Sequence, residues 1–301
     1  MALMASSQAR LLNGLARVIP FRRLVEWQLG RMGGAVSARP GRELNGVASV
    51  VVEELRGRTI WRLEPARPVA GAPLIVFLHG GGYVTGVGQP HWWLLADVIR
   101  RSGAAVWVGD YPLAPENTAA VTVPWTTDVY AAAAADAAAA GRRVVLMGDS
   151  AGGGLALAVA VAARDRGLPM PAAMVLLSPW LDVGMTAPDG EELDRRDRML
   201  PRRVLLAAGR AYSGEPGVAD PLASPLFADL TGLPATTVFA STTEGLIADA
   251  RRLAARAALI PGWHVDVRET PDMVHDWLLF GFLPEARAAI GEISTILAAL
   301  R

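Results

Sequence analysis

From residue 47 onward the chain alternates short apolar, β-branched runs with longer stretches whose apolar positions recur at helical spacing. The short runs predict strands at 48–55, 58–63, 74–78, 104–108, 143–147, 173–177, 236–240 and 265–269. Between them, helices are expected at 92–102, 124–140, 151–166, 201–212, 246–259 and 284–300. The tract at 131–140 is nearly all alanine and is closed by Gly141, so it reads as a helix and not as a linker. Strands that alternate with helices and are apolar on both faces belong to a sheet covered on both sides. The expected class is therefore α/β, with a mostly parallel eight-stranded sheet flanked by helices.

Two regions fall outside this alternation. Residues 1–45 carry apolar positions interrupted by Arg10, Arg17, Arg22 and Arg23, the pattern of amphipathic helices. Residues from about 184 to 221 form a polar insert around one expected helix. Both are candidates for a helical cap over the remaining domain, 46–301.

Composition narrows the chemistry. Of 301 residues, 52% are hydrophobic, enough for one large core without disulfides. Acidic and basic residues balance at 29 each, which argues against a nucleic-acid partner. There is no cysteine, so thiol nucleophiles and thiolate metal sites are excluded. All the cations apart from histidine are arginine, so Schiff-base chemistry and the lysine of a phosphate loop are excluded too. No apolar stretch approaches the roughly 18–20 residues of a spanning helix, and the N-terminus lacks a clear secretory pattern. The expectation is a soluble, cytoplasmic protein for which a membrane partner is unlikely on sequence grounds.

The stretch VVLMGDSAGGG, residues 144–154, carries a serine at a strand-to-helix turn. Gly148 and Gly152 flank Ser150 at two residues either side, which permits the sharp turn that exposes a nucleophilic hydroxyl. The helix that follows aims its positive end at developing negative charge. A dinucleotide-binding turn is the alternative, but GDSAGGG lacks the G-x-G-x-x-G spacing and follows the fifth strand instead of the first. Upstream, LIVFLHGGGYVTG ends a strand in three glycines. Their unshielded N–H groups suit an oxyanion hole, for which Gly81, Gly82 and Ala151 are the expected donors.

Four histidines compete for the role of base. His79 belongs to the glycine loop and braces it; His91 precedes a helix, where capping or exposure is expected; His264 lies on the polar face of a strand. His275, in the loop after the last strand, stands where a base follows serine and acid in chain order. The acid should follow the strand at 236–240, where Glu244 is the first carboxylate and Asp249 already lies in the next helix. Asp272 and Asp276 are set aside because they are too close to His275 along the chain. Tyr83, Trp180 and Trp277 adjoin these motifs; they are candidate pocket walls, with core packing an equal alternative.

Taken in order, LHGGGYVTG, YPLAPE (111–116), GDSAGGG, SPWLDV (178–183), DPLASPLFADLTGLP (220–234) and MVHDW resemble the hormone-sensitive-lipase-like (bacterial type IV) esterases of the α/β-hydrolase fold. The resemblance covers roughly residues 45–300. It implies a Ser150, Glu244, His275 triad, an HGGG-type oxyanion hole and a cap built partly from the N-terminus. It also implies hydrolysis of short- to medium-chain carboxylic esters without metal or organic cofactor, by a monomer or a homodimer formed through the last edge strand. A lactone, an amide or an acetyl ester of a specific metabolite is the alternative substrate, and a noncatalytic small-molecule receptor is the rival from another class. The chain departs from the family pattern at Pro112, where arginine is usual, after Glu116, where about four residues appear inserted, and at Ser241, Thr242 and Thr243, which precede the acid.

Overall fold

The computed structural model describes residues 6–18, 21–30 and 36–301; the parts of the expected cap segment at 1–5, 19–20 and 31–35 lie outside the described residues. Strands β1 (Ala48–Leu55) and β2 (Arg58–Pro65) form an antiparallel hairpin. Its two-residue turn, Arg56 and Gly57, has φ of 48° and 78°, the left-handed pair that matches the twist of such hairpins. The remaining strands are β3 (Leu74–Leu78), β4 (Ala105–Gly109), β5 (Val144–Asp149), β6 (Ala173–Leu177), β7 (Thr236–Ser241) and β8 (Val265–Thr270). They join in the order β1-β2-β4-β3-β5-β6-β7-β8. Strand β2 runs antiparallel to both of its neighbours and every pair from β4 to β8 is parallel.

Strands β3 to β6 are buried along their whole length. Alternate side chains therefore serve two different cores. Ile75, Phe77, Val145 and Met147 pack with helices α3 (Gln89–Ser102) and α9 (Pro284–Ala298). Leu74, Val76, Leu78 and Leu146 pack with α4 (Ala119–Ala139), α5 (Ala151–Asp165) and α8 (Ile247–Ala257). Helix α5 is buried without interruption from Ala151 to Ala160, as expected of an apolar helix that starts beneath the site.

Two expectations change. Helix α4 begins at Ala119 instead of 124, which places Pro124 inside it. A proline there leaves the carbonyl of Ala120 without its helical donor, but Ala120 is exposed, so water can replace the lost bond. The apparent insertion after Glu116 is thus helix more than loop. The polar insert holds two helices and not one, α6 (Gly190–Arg196) and α7 (Arg202–Ser213). Asp197 ends the first by accepting the N–H groups of Met199 and Leu200 at 2.8 and 2.9 Å.

Helices α1 (Ser7–Val18) and α2 (Phe21–Gly30) precede the sheet. Arg22 in α2 reaches the insert, bonding Asp194 Oδ1 at 2.7 Å and the carbonyl of Asp197 at 2.8 Å. Glu26 pairs with Arg203 of α7 at 2.7 Å. No helix among the described residues is long and apolar enough to cross a membrane.

Candidate active site

Strand β5 delivers Ser150 to the carboxyl edge of the sheet, between two parallel neighbours. Its backbone stands at φ 51°, ψ −119°, a strained conformation for a residue with a side chain. Backbone bonds hold it there: Ser150 N–H donates to Leu177 at 2.8 Å, and the Ser150 carbonyl accepts from Gly153 at 3.0 Å and Trp180 at 2.9 Å. Close approach of α5 to β3 needs Gly152, because a Cβ there would overlap the carbonyl oxygens of Leu78 and His79. Gly152→Ala should accordingly destabilise the fold by about 3 kcal/mol or more. A urea-unfolding midpoint equal to that of the parent would show that strand and helix have room to spare.

Three side chains distant in sequence meet at this turn. His275 Nε2 lies 2.9 Å from Ser150 Oγ, and His275 Nδ1 lies 2.6 Å from Glu244 Oε2. Glu244 is itself oriented by the Ser241 N–H, which donates to Oε1 at 2.7 Å. All three residues are nearly buried, at 5%, 3% and 1% exposure for Ser150, His275 and Glu244. This is the order of a hydroxyl, imidazole and carboxylate relay.

The unusual Ser241, Thr242 and Thr243 triplet ties the acid loop to the histidine loop. Ser241 Oγ donates to the Met273 carbonyl at 2.6 Å and accepts the Met273 N–H at 3.0 Å. Thr243 Oγ1 donates to the same carbonyl at 2.8 Å, and Thr242 Oγ1 accepts the Asp272 N–H at 3.1 Å. The hydroxyls thereby fix the chain just before His275.

Asp249 goes elsewhere. It accepts the N–H groups of Leu181 and Asp182, each at 2.9 Å, and so braces the SPWLD loop. Burial, with the neighbouring Asp182 adding to it, pushes its carboxyl up to about 7.

The glycine loop is built against the serine turn. Asp149, the residue before Ser150, accepts the Gly80 N–H at 3.0 Å and sits 3.2 Å from His91 Nε2. Gly88 N–H donates to His91 Nδ1 at 2.8 Å, so the Nε2 proton of His91 points at Asp149. His91 is thus a buried helix cap with a second task, and exposure does not apply to it. Gly81 has φ 114°, open to glycine alone in practice, and Thr85 Oγ1 holds its carbonyl at 3.0 Å. The N–H groups of Gly81, Gly82 and Ala151 make no hydrogen bond among the described residues. Free backbone donors beside a serine turn are what an oxyanion would require.

His79 braces this loop, its ring stacked on Tyr111 at 4.2 Å between centroids. Burial, reinforced by His91, lowers it to about 3, which keeps it neutral. His264 is exposed.

Tyr83, Trp180 and Trp277 are each almost wholly buried. Tyr83 stacks in parallel on Tyr212 of α7 at 3.6 Å and lies 5.8 Å from Trp180, so their faces meet protein. Trp277 packs in the cluster shared by α3 and α9, as does Trp92, while Trp93 is 51% exposed.

One neighbour of the relay escapes a reading of the sequence. Asp276 Oδ2 lies 3.0 Å from His275 Nε2, the nitrogen that also faces Ser150. Adjacency in sequence is no obstacle, because Asp276 takes a left-handed conformation, φ 51°, ψ 34°, that folds its carboxyl back on the preceding ring. Asp272, also set aside, instead pairs with Arg198 at 3.2 Å.

Comparison with known proteins agrees with this geometry. A family model described as alpha/beta hydrolase fold matches residues 75–279. The chain is 37% identical over 217 residues to an acetyl-hydrolase of Streptomyces hygroscopicus, covering 72% of each protein. It superposes on an esterase from the bacterial hormone-sensitive lipase (HSL) family with a TM-score of 0.81 at 32% identity, over 98% of both chains. EstE5, solved from crystals soaked with p-nitrophenyl butyrate, gives a TM-score of 0.82 at 30% identity over 98% of this chain and 99% of that one. The eight-stranded sheet, the motif order and these likenesses lead to one conclusion: the chain belongs to the hormone-sensitive-lipase-like esterases of the α/β-hydrolase fold and is a serine hydrolase of carboxylic esters.

Proposed function

We propose that the enzyme hydrolyses short- to medium-chain carboxylic esters through an acyl-enzyme on Ser150. The observation that carries this reading is the unbroken Ser150, His275, Glu244 hydrogen-bonded relay, with contacts of 2.9 and 2.6 Å. Glu244 holds the Nδ1 proton of His275, leaving Nε2 to take the proton of Ser150 as Oγ attacks the ester carbonyl. The tetrahedral oxyanion accepts from the N–H groups of Gly81, Gly82 and Ala151. His275 then returns its proton to the leaving alcohol, the carbon–oxygen bond to that alcohol breaks, and Ser150 carries the acyl group. Water, deprotonated by the same nitrogen, releases the acid and restores the serine.

The segment up to residue 45 and the insert at about 184–221 act together as the cap. The Arg22 bonds to the insert, the Glu26–Arg203 pair and the Tyr83–Tyr212 stack support this division, since they join both regions to each other and to the glycine loop. A cap resting on the oxyanion loop limits the length of acyl chain admitted.

A p-nitrophenyl ester series from acetate to palmitate tests the reading. Turnover is expected to peak between acetate and medium chains and to be lost at palmitate; a palmitate optimum would overturn it. An acetyl ester of a larger metabolite is the second reading, favoured by the likeness to the Streptomyces hygroscopicus acetyl-hydrolase. Activity confined to acetate would select it.

A further inference from the structure

Two carboxylates flank the base. Glu244 takes Nδ1 of His275, and Asp276 Oδ2 stands 3.0 Å from Nε2, where Ser150 Oγ also lies at 2.9 Å. With the Nδ1 proton committed to Glu244, a neutral imidazole offers only a lone pair at Nε2. An ionised carboxylate 3.0 Å from Nε2 pairs with the imidazole once it is protonated and repels a bare lone pair there. The arrangement therefore favours the protonated imidazole over the neutral one. The other oxygen, Asp276 Oδ1, is buried and has no hydrogen-bond partner among the described residues, so the pair with His275 is what offsets the carboxylate's charge.

We propose that Asp276 is a positioning residue whose carboxylate holds His275 protonated in the resting enzyme and so competes with Ser150 for the base. The proposal rests on the relay read above. While Nε2 carries that proton, it cannot accept from Ser150. Its release to water leaves Nε2 bare, and the Ser150 proton then moves to it as the Oγ–carbon bond forms.

The surroundings favour retention of that proton. Glu244 approaches from the loop after β7, Asp149 from β5, and Asp197 from the insert, all carboxyl groups; His91 of α3 pairs with Asp149 and also faces Asp276, and His79 is neutral. Burial raises the Asp276 carboxyl, with Asp149 and Glu244 adding to it against the opposing pull of His275. Burial alone would lower His275, yet Asp276 and Glu244 outweigh it and raise the imidazole well above its ordinary range. Because only the deprotonated base is active, a raised value moves the acid limb of the activity profile to higher pH.

The test follows the pH dependence of Ser150 modification by a fluorophosphonate, together with kcat/KM for p-nitrophenyl butyrate. Asp276→Gly and Asp276→Asn both tolerate the left-handed backbone and remove the carboxylate. Each is expected to move the acid limb down by about one to two pH units. Activity on the alkaline plateau should stay within about threefold of the parent, as a residue acting only on proton occupancy requires. An acid limb unmoved in both variants would overturn the proposal and leave the relay standing. Equal labelling of Ser150→Ala and the parent would remove the relay itself, and the proposal with it. A measurement on the unaltered protein guards against misfolded variants: with 15N-histidine, the His275 resonances should remain those of an imidazolium to pH values well above the ordinary histidine value of about 6.5. A His275 that turns neutral at or below that ordinary value would overturn the proposal.

Discussion

Ser150→Ala should lower kcat for p-nitrophenyl butyrate by about four to six orders of magnitude. In the proposed mechanism attack by Oγ is the step the rest of the relay serves, so without it the imidazole and carboxylate have nothing to activate. What remains is binding and oxyanion stabilisation, which leave a residual rate above water. KM should change little, because the hydroxyl contributes no packing; its side-chain bond in the resting structure is to His275. The unfolding transition should also be nearly unchanged, since the backbone bonds from Ser150 to Leu177, Gly153 and Trp180 do not involve the side chain. Steady-state kinetics with mass analysis after organophosphate treatment would check both halves. Activity within tenfold of the parent would exclude Ser150 as nucleophile.

The second large effect belongs to the acid. Glu244→Gln should reduce kcat by about three to four orders of magnitude with little loss of stability. A glutamine keeps an oxygen for the Ser241 N–H and turns its amide toward Nδ1. The amide then donates where the carboxylate accepted, so the imidazole must carry its proton on Nε2, and that tautomer cannot take a proton from Ser150. Asp249→Asn provides the comparison. It keeps an oxygen for the Leu181 and Asp182 N–H groups but turns an amide toward Arg252 where a carboxylate oxygen stood, so its cost should appear in the urea midpoint more than in kcat. A greater loss of kcat at Asp249 than at Glu244 would move the acid assignment.

Most of the architecture is legible in the chain because parallel strands buried on both faces are continuous apolar runs. Leu74–Leu78 and Ala173–Leu177 could hardly be anything else, and their observed bounds match the expected ones. Helix starts are harder to read. Pro124 looks like a beginning, yet the helix reaches back to Ala119, since an exposed carbonyl tolerates a missing donor. The insert is read as one helix because seven residues, Gly190–Arg196, are too few to show a period.

Within the site, chain order points to Ser150, Glu244 and His275, and the structure brings the three side chains together. Order along the chain says nothing of contacts set by one dihedral angle. Asp276 is the clearest case: in an extended backbone its carboxyl would face away from the ring before it, and only the left-handed turn brings the two together. The task of His91 is hidden for another reason. Its partner Asp149 lies on a different element 58 residues away, and no spacing rule links a helix cap to the residue before a nucleophile.

Asp197 gives the cap a consequence beyond enclosure. Besides ending α6, its Oδ2 accepts the N–H of Gly245, the residue next to Glu244, at 2.7 Å. Arg22 of α2 grips the same turn from the other side. The insert and the acid loop are thus stitched at Asp197, so in the proposed cap a movement that admits a bulky guest would also pull on the loop that carries the carboxylate. Under that proposal gatekeeping and proton handling would share one mechanical linkage, and selection among substrates would be read in the rate of turnover as well as in the fit of the guest.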